Sequence, residues 1–117
     1  MAAAAAGLFV LGRLPRVVVD GHSMRPGLQP GDRLLLVRRR RRRYRPGMVV
    51  AVADPRLPTR LLVKRVAAVR GDGRLELRGD DEATSTDSRT FGPVEAGLVR
   101  GQAVWRYAPR WRSGSVR

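Results

Sequence analysis

Cysteine is absent from this chain, histidine and lysine occur once each, and Trp, Tyr and Phe number two apiece. Without cysteine there can be neither disulfides nor thiolate metal sites, and one histidine argues against a catalytic zinc. No metal or other cofactor is expected. Acids are scarce as well: ten Asp and Glu stand against 24 Lys and Arg, for a formal charge of +14. Scarce aromatics leave Val and Leu to fill the core. Long apolar runs are missing too. Residues 1–12 are uncharged and mostly apolar, but a bilayer needs about 20 such residues in a helix. No basic segment precedes them, which fits a secretory signal poorly. The expectation is a flexible apolar start over residues 1–14 and a chain that works in the cytoplasm, with peripheral membrane contact as the rival.

What is present is globular. A hydrophobic share of 43% over 117 residues suits one domain with one core. Short β-branched or leucine-rich runs predict strands at Val17–Asp20, Arg33–Arg38, Met48–Ala53, Leu61–Val69, Arg74–Arg78 and Gln102–Tyr107. Pro-Gly, Asp-Pro and Gly-Asp-Gly punctuate them. Gly71-Asp72-Gly73 reads as a hairpin turn. Helical periodicity is lacking, apart from one turn that Pro93 to Leu98 could make. The fold class is therefore mostly β: one compact domain of short, largely antiparallel strands over residues 15–108, followed by a basic disordered tail at 109–117.

Two stretches carry chemistry. Gly21-His22-Ser23-Met24-Arg25-Pro26 follows an apolar run and precedes Pro26-Gly27 and Pro30-Gly31-Asp32. Gly21 lets the backbone approach a ligand closely and Pro26 stiffens the loop, a good setting for an exposed Ser23 hydroxyl. Ordinary surface turns keep serines in the same setting. A serine nucleophile also needs a base. His22 is adjacent to Ser23, and neighbours in an extended segment point to opposite sides, so a Ser-His-Asp triad is disfavoured. The other candidate is Lys64, the one lysine among 24 basic residues. Arginine does not deprotonate at ordinary pH, whereas burial can push a lysine down. Alternation along Leu61–Val69 puts Leu62, Lys64, Val66 and Ala68 on one face, so Lys64 has apolar neighbours. To act as a base near neutrality its pKa must fall from roughly 10.4 to about 7–8, a desolvation of about 3–4 kcal/mol. A lysine snorkelling at a sheet edge is the plainer alternative, and Arg65 puts the same question to the opposite face.

The boxes Val19-Asp20-Gly21-His22-Ser23-Met24-Arg25-Pro26, Gly31-Asp32, Val63-Lys64-Arg65-Val66 and Gly79-Asp80-Asp81 through Ser85-Thr86-Asp87-Ser88-Arg89 to Gly92-Pro93-Val94 resemble, in order and spacing, the type I signal peptidase family. The resemblance spans roughly residues 17–107. It implies a Ser/Lys dyad serine endopeptidase without cofactor, with Ser23 as nucleophile and Lys64 as general base. It further implies that Ser85 orients the lysine amine, that Asp87 and Arg89 form a pair holding that loop, and that Asp80 is the box's first acid. Gly21, Met24 and Pro26 belong to the nucleophile loop. Gly21 stands where some members have serine, so the Ser23 backbone N–H would carry more of the oxyanion stabilisation. Gly27 and Asp81 depart from the threonine and asparagine of many members.

On this reading the partner is a protein precursor bound as an extended strand, from which an N-terminal propeptide or signal-like segment is removed. The small build, read as anchorless, resembles the subgroup that matures nickel-type superoxide dismutase; signal peptidase work at a membrane is its rival. A self-cleaving repressor, also Ser/Lys, would want a DNA-binding domain or cleavage segment upstream, and only about twenty residues precede Ser23. The run Arg38 to Arg43 reads as a solvated hairpin tip able to touch an anionic surface. It also sustains a third reading, a non-catalytic basic module binding nucleic acid or anionic lipid. That module would leave Lys64 and the Ser85–Arg89 loop without a purpose, and base-stacking aromatics are not interleaved through the run.

Overall fold

The strand that holds the molecule together is the one in which every residue is buried, Val49–Asp54. A computed structural model of the chain describes residues 15–40 and 43–117. The apolar start expected over residues 1–14 lies outside the described residues, as do Arg41 and Arg42 of the arginine run. Among the described residues seven strands form one antiparallel sheet: β1 Arg16–Val18, β2 Arg33–Val37, β3 Val49–Asp54, β4 Leu57–Val69, β5 Leu75–Arg78, β6 Val99–Ala108 and β7 Gly114–Ser115. Their spatial order is β1-β2-β6-β3-β4-β5, with β7 added on β6. The mostly β class and the single domain expected from the sequence are what the chain forms.

Alternation in β3 explains its complete burial. Val49 and Ala51 pack with Val17, Val19, Met24, Leu28, Leu34, Leu36 and Ala103, whereas Val50 and Val52 pack with Tyr44, Leu62, Val66, Leu75, Leu77 and Val94. The sheet thus has apolar residues covered on both faces of its middle. Aliphatic side chains dominate both clusters, as the shortage of aromatics required.

Several expectations change. β4 starts at Leu57 rather than Leu61, because the Asp54 carboxylate accepts from the Arg56 N–H at 2.9 Å and closes a tight turn into it. β6 starts at Val99 rather than Gln102. Gly101 permits this, since a Cβ there would lie 3.0 Å from Leu36 Cβ and 3.1 Å from the Val37 carbonyl. The arginine run is not a hairpin tip. It connects β2 to β3, and β6 lies between those two strands, so the run is a crossover loop. Its described members Arg38, Arg39, Arg40 and Arg43 are exposed. A short helix, α1 Ser88–Phe91, was not anticipated; its N-cap is Asp87, whose carboxylate accepts from the Arg89 N–H. Only Ala96–Leu98 of the Pro93–Leu98 segment makes a 3-10 turn.

The tail expected to be disordered is built into the sheet. Arg110–Arg112 forms a 3-10 turn, and β7 then pairs with β6 at Trp105 and Arg106. β3 leaves that edge of β6 free because it pairs only with residues 99–102. Val116 packs on the first core cluster. The hairpin signal at Gly71-Asp72-Gly73 is matched by the β4–β5 turn, where Gly73 takes a φ of +87°.

Candidate active site

Ser23 and Lys64 line the same cleft, a depression of about 440 Å³. Its walls come from the end of β1 and the loop that follows (Val18 to Met24), the first half of β4 (Arg60 to Lys64), and Thr84 and Thr86. The loop is anchored at both ends. Val19 N–H donates to the Asp32 carbonyl and Gly31 N–H to the Val19 carbonyl, each at 2.8 Å. Met24 is 2% exposed and sits in the core beneath. That leaves Ser23 half-buried at the cleft wall. Gly21 has a φ of +101°, a conformation that L side chains rarely adopt, which accounts for glycine at that turn. His22 is exposed and lines the same cleft.

Lys64 is 3% exposed. Leu62 and Val66, its neighbours on the same face of β4, are buried in the second core cluster. Ala68 drops out of step because the β4–β5 register shifts between Val66 and Ala68. The amine is not left to apolar contacts alone. Nζ donates to Ser85 Oγ at 3.1 Å, and Ser85 Oγ donates to Asp87 Oδ2 at 2.7 Å. The direction of this chain is set by its far end, since an ionised Asp87 can only accept. A neutral amine has two N–H groups and one lone pair. With an N–H committed to Ser85, the lone pair is left free to take a proton.

Electrostatics makes the amine easier to deprotonate than an ordinary lysine. Burial pushes the Lys64 ammonium below its ordinary value; the Asp87 carboxylate opposes this, while Arg60, Arg89 and Arg56 add to the lowering. At Asp87 the balance is reversed. Burial would raise the carboxyl, but the Arg89 guanidinium, the Ser85 hydroxyl and the N–H groups of Gly79 and Arg89 hold it well below the usual carboxylate range. Arg89 spans both oxygens, with Nε to Oδ1 at 3.0 Å and Nη2 to Oδ2 at 3.1 Å.

Asp80 takes a different part from its neighbours. It does not join the Lys64–Ser85–Asp87 chain; both its oxygens receive Arg65 at 2.8 Å. Arg65 lies on the opposite face of β4 from Lys64, so this bidentate pair ties the loop after β5 to the Lys64-bearing strand from behind. That also answers how a charged residue stays on a half-buried face: Nε and Nη2 meet Asp80, Nη1 donates to the Gly47 carbonyl and Nη2 also to the Arg117 carbonyl.

Sequence reasoning assigned no role to Gly79, Asp81 or Asp32 beyond their boxes. Asp81 N–H donates to the Ser23 carbonyl at 2.7 Å, and its carboxylate meets Arg25 Nη2 at 3.3 Å. A backbone bond of this kind leaves no trace in residue type. Gly79 is where the two halves of the site touch: a Cβ there would stand 2.2 Å from Ser85 Oγ and 2.7 Å from the Ser23 carbonyl. Gly79→Ala is therefore expected to push the Ser23 and Ser85 loops apart, destabilising the fold by about 1–3 kcal/mol as overpacking does. Thermal melting of the variant checks this, and an unchanged midpoint would contradict it.

Arg60 offers a test of the amine's surroundings. It stands on the same face of β4 as Lys64 and lines the cleft. Arg60→Glu replaces a nearby cation by an anion, so Lys64 should titrate closer to its ordinary value. Because Lys64 is the chain's one lysine, nitrogen NMR of its Nζ follows that titration without overlap. A midpoint that stays put or falls would contradict the electrostatic account.

The family model for signal peptidase, peptidase S26, matches residues 1–74. Mitochondrial ATP-independent inner membrane protease subunit 1b of Arabidopsis thaliana is 34% identical over 113 aligned residues, covering 76% of this chain and 67% of the relative. Mitochondrial inner membrane protease subunit 2 of Danio rerio is 36% identical over 130, with 88% and 70% covered. Subunit 1 of Homo sapiens is 30% identical over 122, with 86% and 74% covered. Family match, relatives and the resemblance carried by the motif order agree: this chain belongs to the type I signal peptidase family.

Proposed function

We propose that the chain is a serine endopeptidase that uses Ser23 and Lys64 as a dyad to remove an N-terminal leader segment from a protein precursor. The observation that carries this is the chain Lys64 Nζ to Ser85 Oγ to Asp87, built around a buried lysine that shares a cleft with Ser23. Ser23 Oγ attacks the scissile carbonyl while Lys64 Nζ accepts its proton. The Ser23 N–H stabilises the developing oxyanion. Lys64 returns the proton to the leaving amine, and a water, deprotonated by the same amine, then releases the acyl group from Ser23. Ser85 keeps the amine aimed; Asp87, held by Arg89, keeps Ser85 aimed.

For the precursor, the names of the relatives point to an inner membrane, which favours a leader displayed at a membrane surface. Maturation of nickel-type superoxide dismutase, expected from the small size, draws no support from the relatives quoted above. Among the described residues no helix is long and apolar enough to cross a membrane. The exposed arginines of the β2–β3 crossover suit contact with an anionic membrane surface. Precursor binding as an added strand suits the cleft, because the β4 segment Leu61–Lys64 has no β5 partner: β5 pairs only from Arg65 onward.

The test is cleavage of a panel of leader-bearing precursors, with a nickel-type dismutase precursor included, by wild type and Ser23→Ala. A leader removed by wild type and left intact by the folded variant supports the reading and names the substrate. Cleavage by Ser23→Ala at the wild-type rate would sink it.

A further inference from the structure

The end of β6 and the tail that follows it return to the two catalytic segments by routes that the dyad itself does not explain. Arg106 Nη1 donates to the Gly27 carbonyl at 2.8 Å and to Asp32 Oδ2 at 3.3 Å. Arg112 Nη1 donates to Asp32 Oδ1 at 3.1 Å, and its Nη2 to the same Gly27 carbonyl at 3.3 Å. Arg106 Nε also donates to the Arg112 carbonyl, which ties the two arginines to one another. Asp32 is 1% exposed and accepts the Gln29 N–H at 2.9 Å besides. A buried carboxylate with two guanidiniums and a backbone donor is a rigid joint, since losing any partner would leave charge unmatched. What it grips is the nucleophile loop: Gly27 lies four residues after Ser23, and Leu28 N–H donates to the Met24 carbonyl at 3.0 Å.

The same tail reaches the strand that carries Lys64. Arg65 Nη2 donates to the Arg117 carbonyl at 2.8 Å, and Arg65 follows Lys64 on β4 while clamping Asp80 from behind. Between the two grips the tail is fixed by β7 pairing with β6 and by Val116 packed against the first core cluster.

We infer that the segment 109–117 is a strap setting the position of Ser23 relative to Lys64, with Arg106 and Arg112 as positioning residues that touch no substrate. The inference rests on the dyad reading. It requires that loosening the strap slow the chemistry at Ser23 without altering how the amine titrates. Rates fall steeply when reacting groups are misplaced by even an ångström.

Arg112→Met keeps an unbranched apolar stem and removes both side-chain bonds. Two measurements on the full chain decide the matter. The first is the rate at which a fluorophosphonate probe acylates Ser23; a drop of at least about tenfold is expected, with the pH midpoint of that rate unchanged and Arg112→Lys recovering part of the loss. The second is hydrogen exchange, in which amides of Ser23 to Leu28 should exchange faster while those of β3 and β4 keep their protection. Asp32→Asn, which retains the size of the joint but discharges it, should act in the same direction if Arg112→Met folds poorly. Wild-type acylation in both variants would overturn the inference. So would a rate loss that merely follows loss of protection across the whole sheet. If wild-type Ser23 does not react at all, the dyad reading fails, and unchanged exchange in the loop of Arg112→Met would separately remove the strap.

Discussion

Lys64→Arg should lose roughly 10²- to 10⁴-fold in kcat/KM, the range assigned to a positioned general base, although it keeps the positive charge. Arginine cannot surrender its proton at working pH, so this variant separates proton transfer from electrostatics. Lys64→Met should be equally inactive and yet fold well. In the wild type, kcat/KM is expected to rise with pH along a limb set by the free enzyme's Lys64, below the ordinary lysine value of 10.5 because burial disfavours its ammonium. The stability sign follows from linkage. Between the lowered folded value and 10.5 the unfolded chain holds more protons, so wild-type stability rises with pH through that window. The methionine variant has no such slope, so its advantage in melting temperature should be largest at low pH and should narrow toward 10.5. Full activity in Lys64→Arg would show that this amine is not the base.

Asp87→Asn should give the largest loss of stability among single changes at the site, about 3 kcal/mol, or a fall in melting midpoint of roughly 10–15 °C for a domain of this size. Asp87 is fully buried and takes Arg89, Ser85 Oγ and the Gly79 N–H at once. An amide in its place can accept only through one atom, and its NH₂ group would face donors. Arg89, a third exposed, retains part of its solvation, which keeps the cost below that of an ion pair buried on both sides. The pH dependence runs opposite to that of Lys64. The Asp87 carboxyl lies well below its unfolded value of 3.8, so its contribution is complete above 3.8 and is lost progressively as pH falls from there to the lowered folded value. The gap between wild type and variant should therefore persist at pH 4 and close only in stronger acid. Activity should fall as well, because a Ser85 hydroxyl without its carboxylate no longer holds Lys64 in one direction. A variant melting within a degree or two of wild type at neutral pH would remove Asp87 as the keystone of this loop.

These expectations show where residue type is enough and where it is not. Alternation along Leu62, Lys64 and Val66 placed the lysine on an apolar face, because side chains on a strand change sides at every residue. The hairpin at Gly71–Gly73 was legible for a similarly local reason: glycine at positive φ closes such turns. Asp87, Ser85 and Arg89 lie within five residues of one another, so their clustering could be read, though only the resemblance gave them roles. The helix Ser88–Phe91 was not, since four residues show no periodicity; its one local signal is the capping aspartate.

The rest depended on contacts that sequence distance hides. Arginine-rich tails read as solvated, but Arg112 lies 80 positions from the carboxylate it neutralises, and that carboxylate is buried only because the loop from Val19 to Asp32 closes over the core. Asp80 turns away from Lys64 because Arg65, on the other face of β4, is nearer in space than anything its box suggests. The requirement for glycine at position 79 comes from two loops meeting there, which no local pattern announces. Residue type was enough to set the chemistry on offer: one lysine able to lose a proton, one stiff serine loop, a β pattern to carry both. Tertiary structure alone decided that they share a cleft, which carboxylate steers the amine, and that the tail joins the sheet. Those outcomes arise from desolvation and pairing between distant segments, and residue type constrains such terms only after the chain has folded.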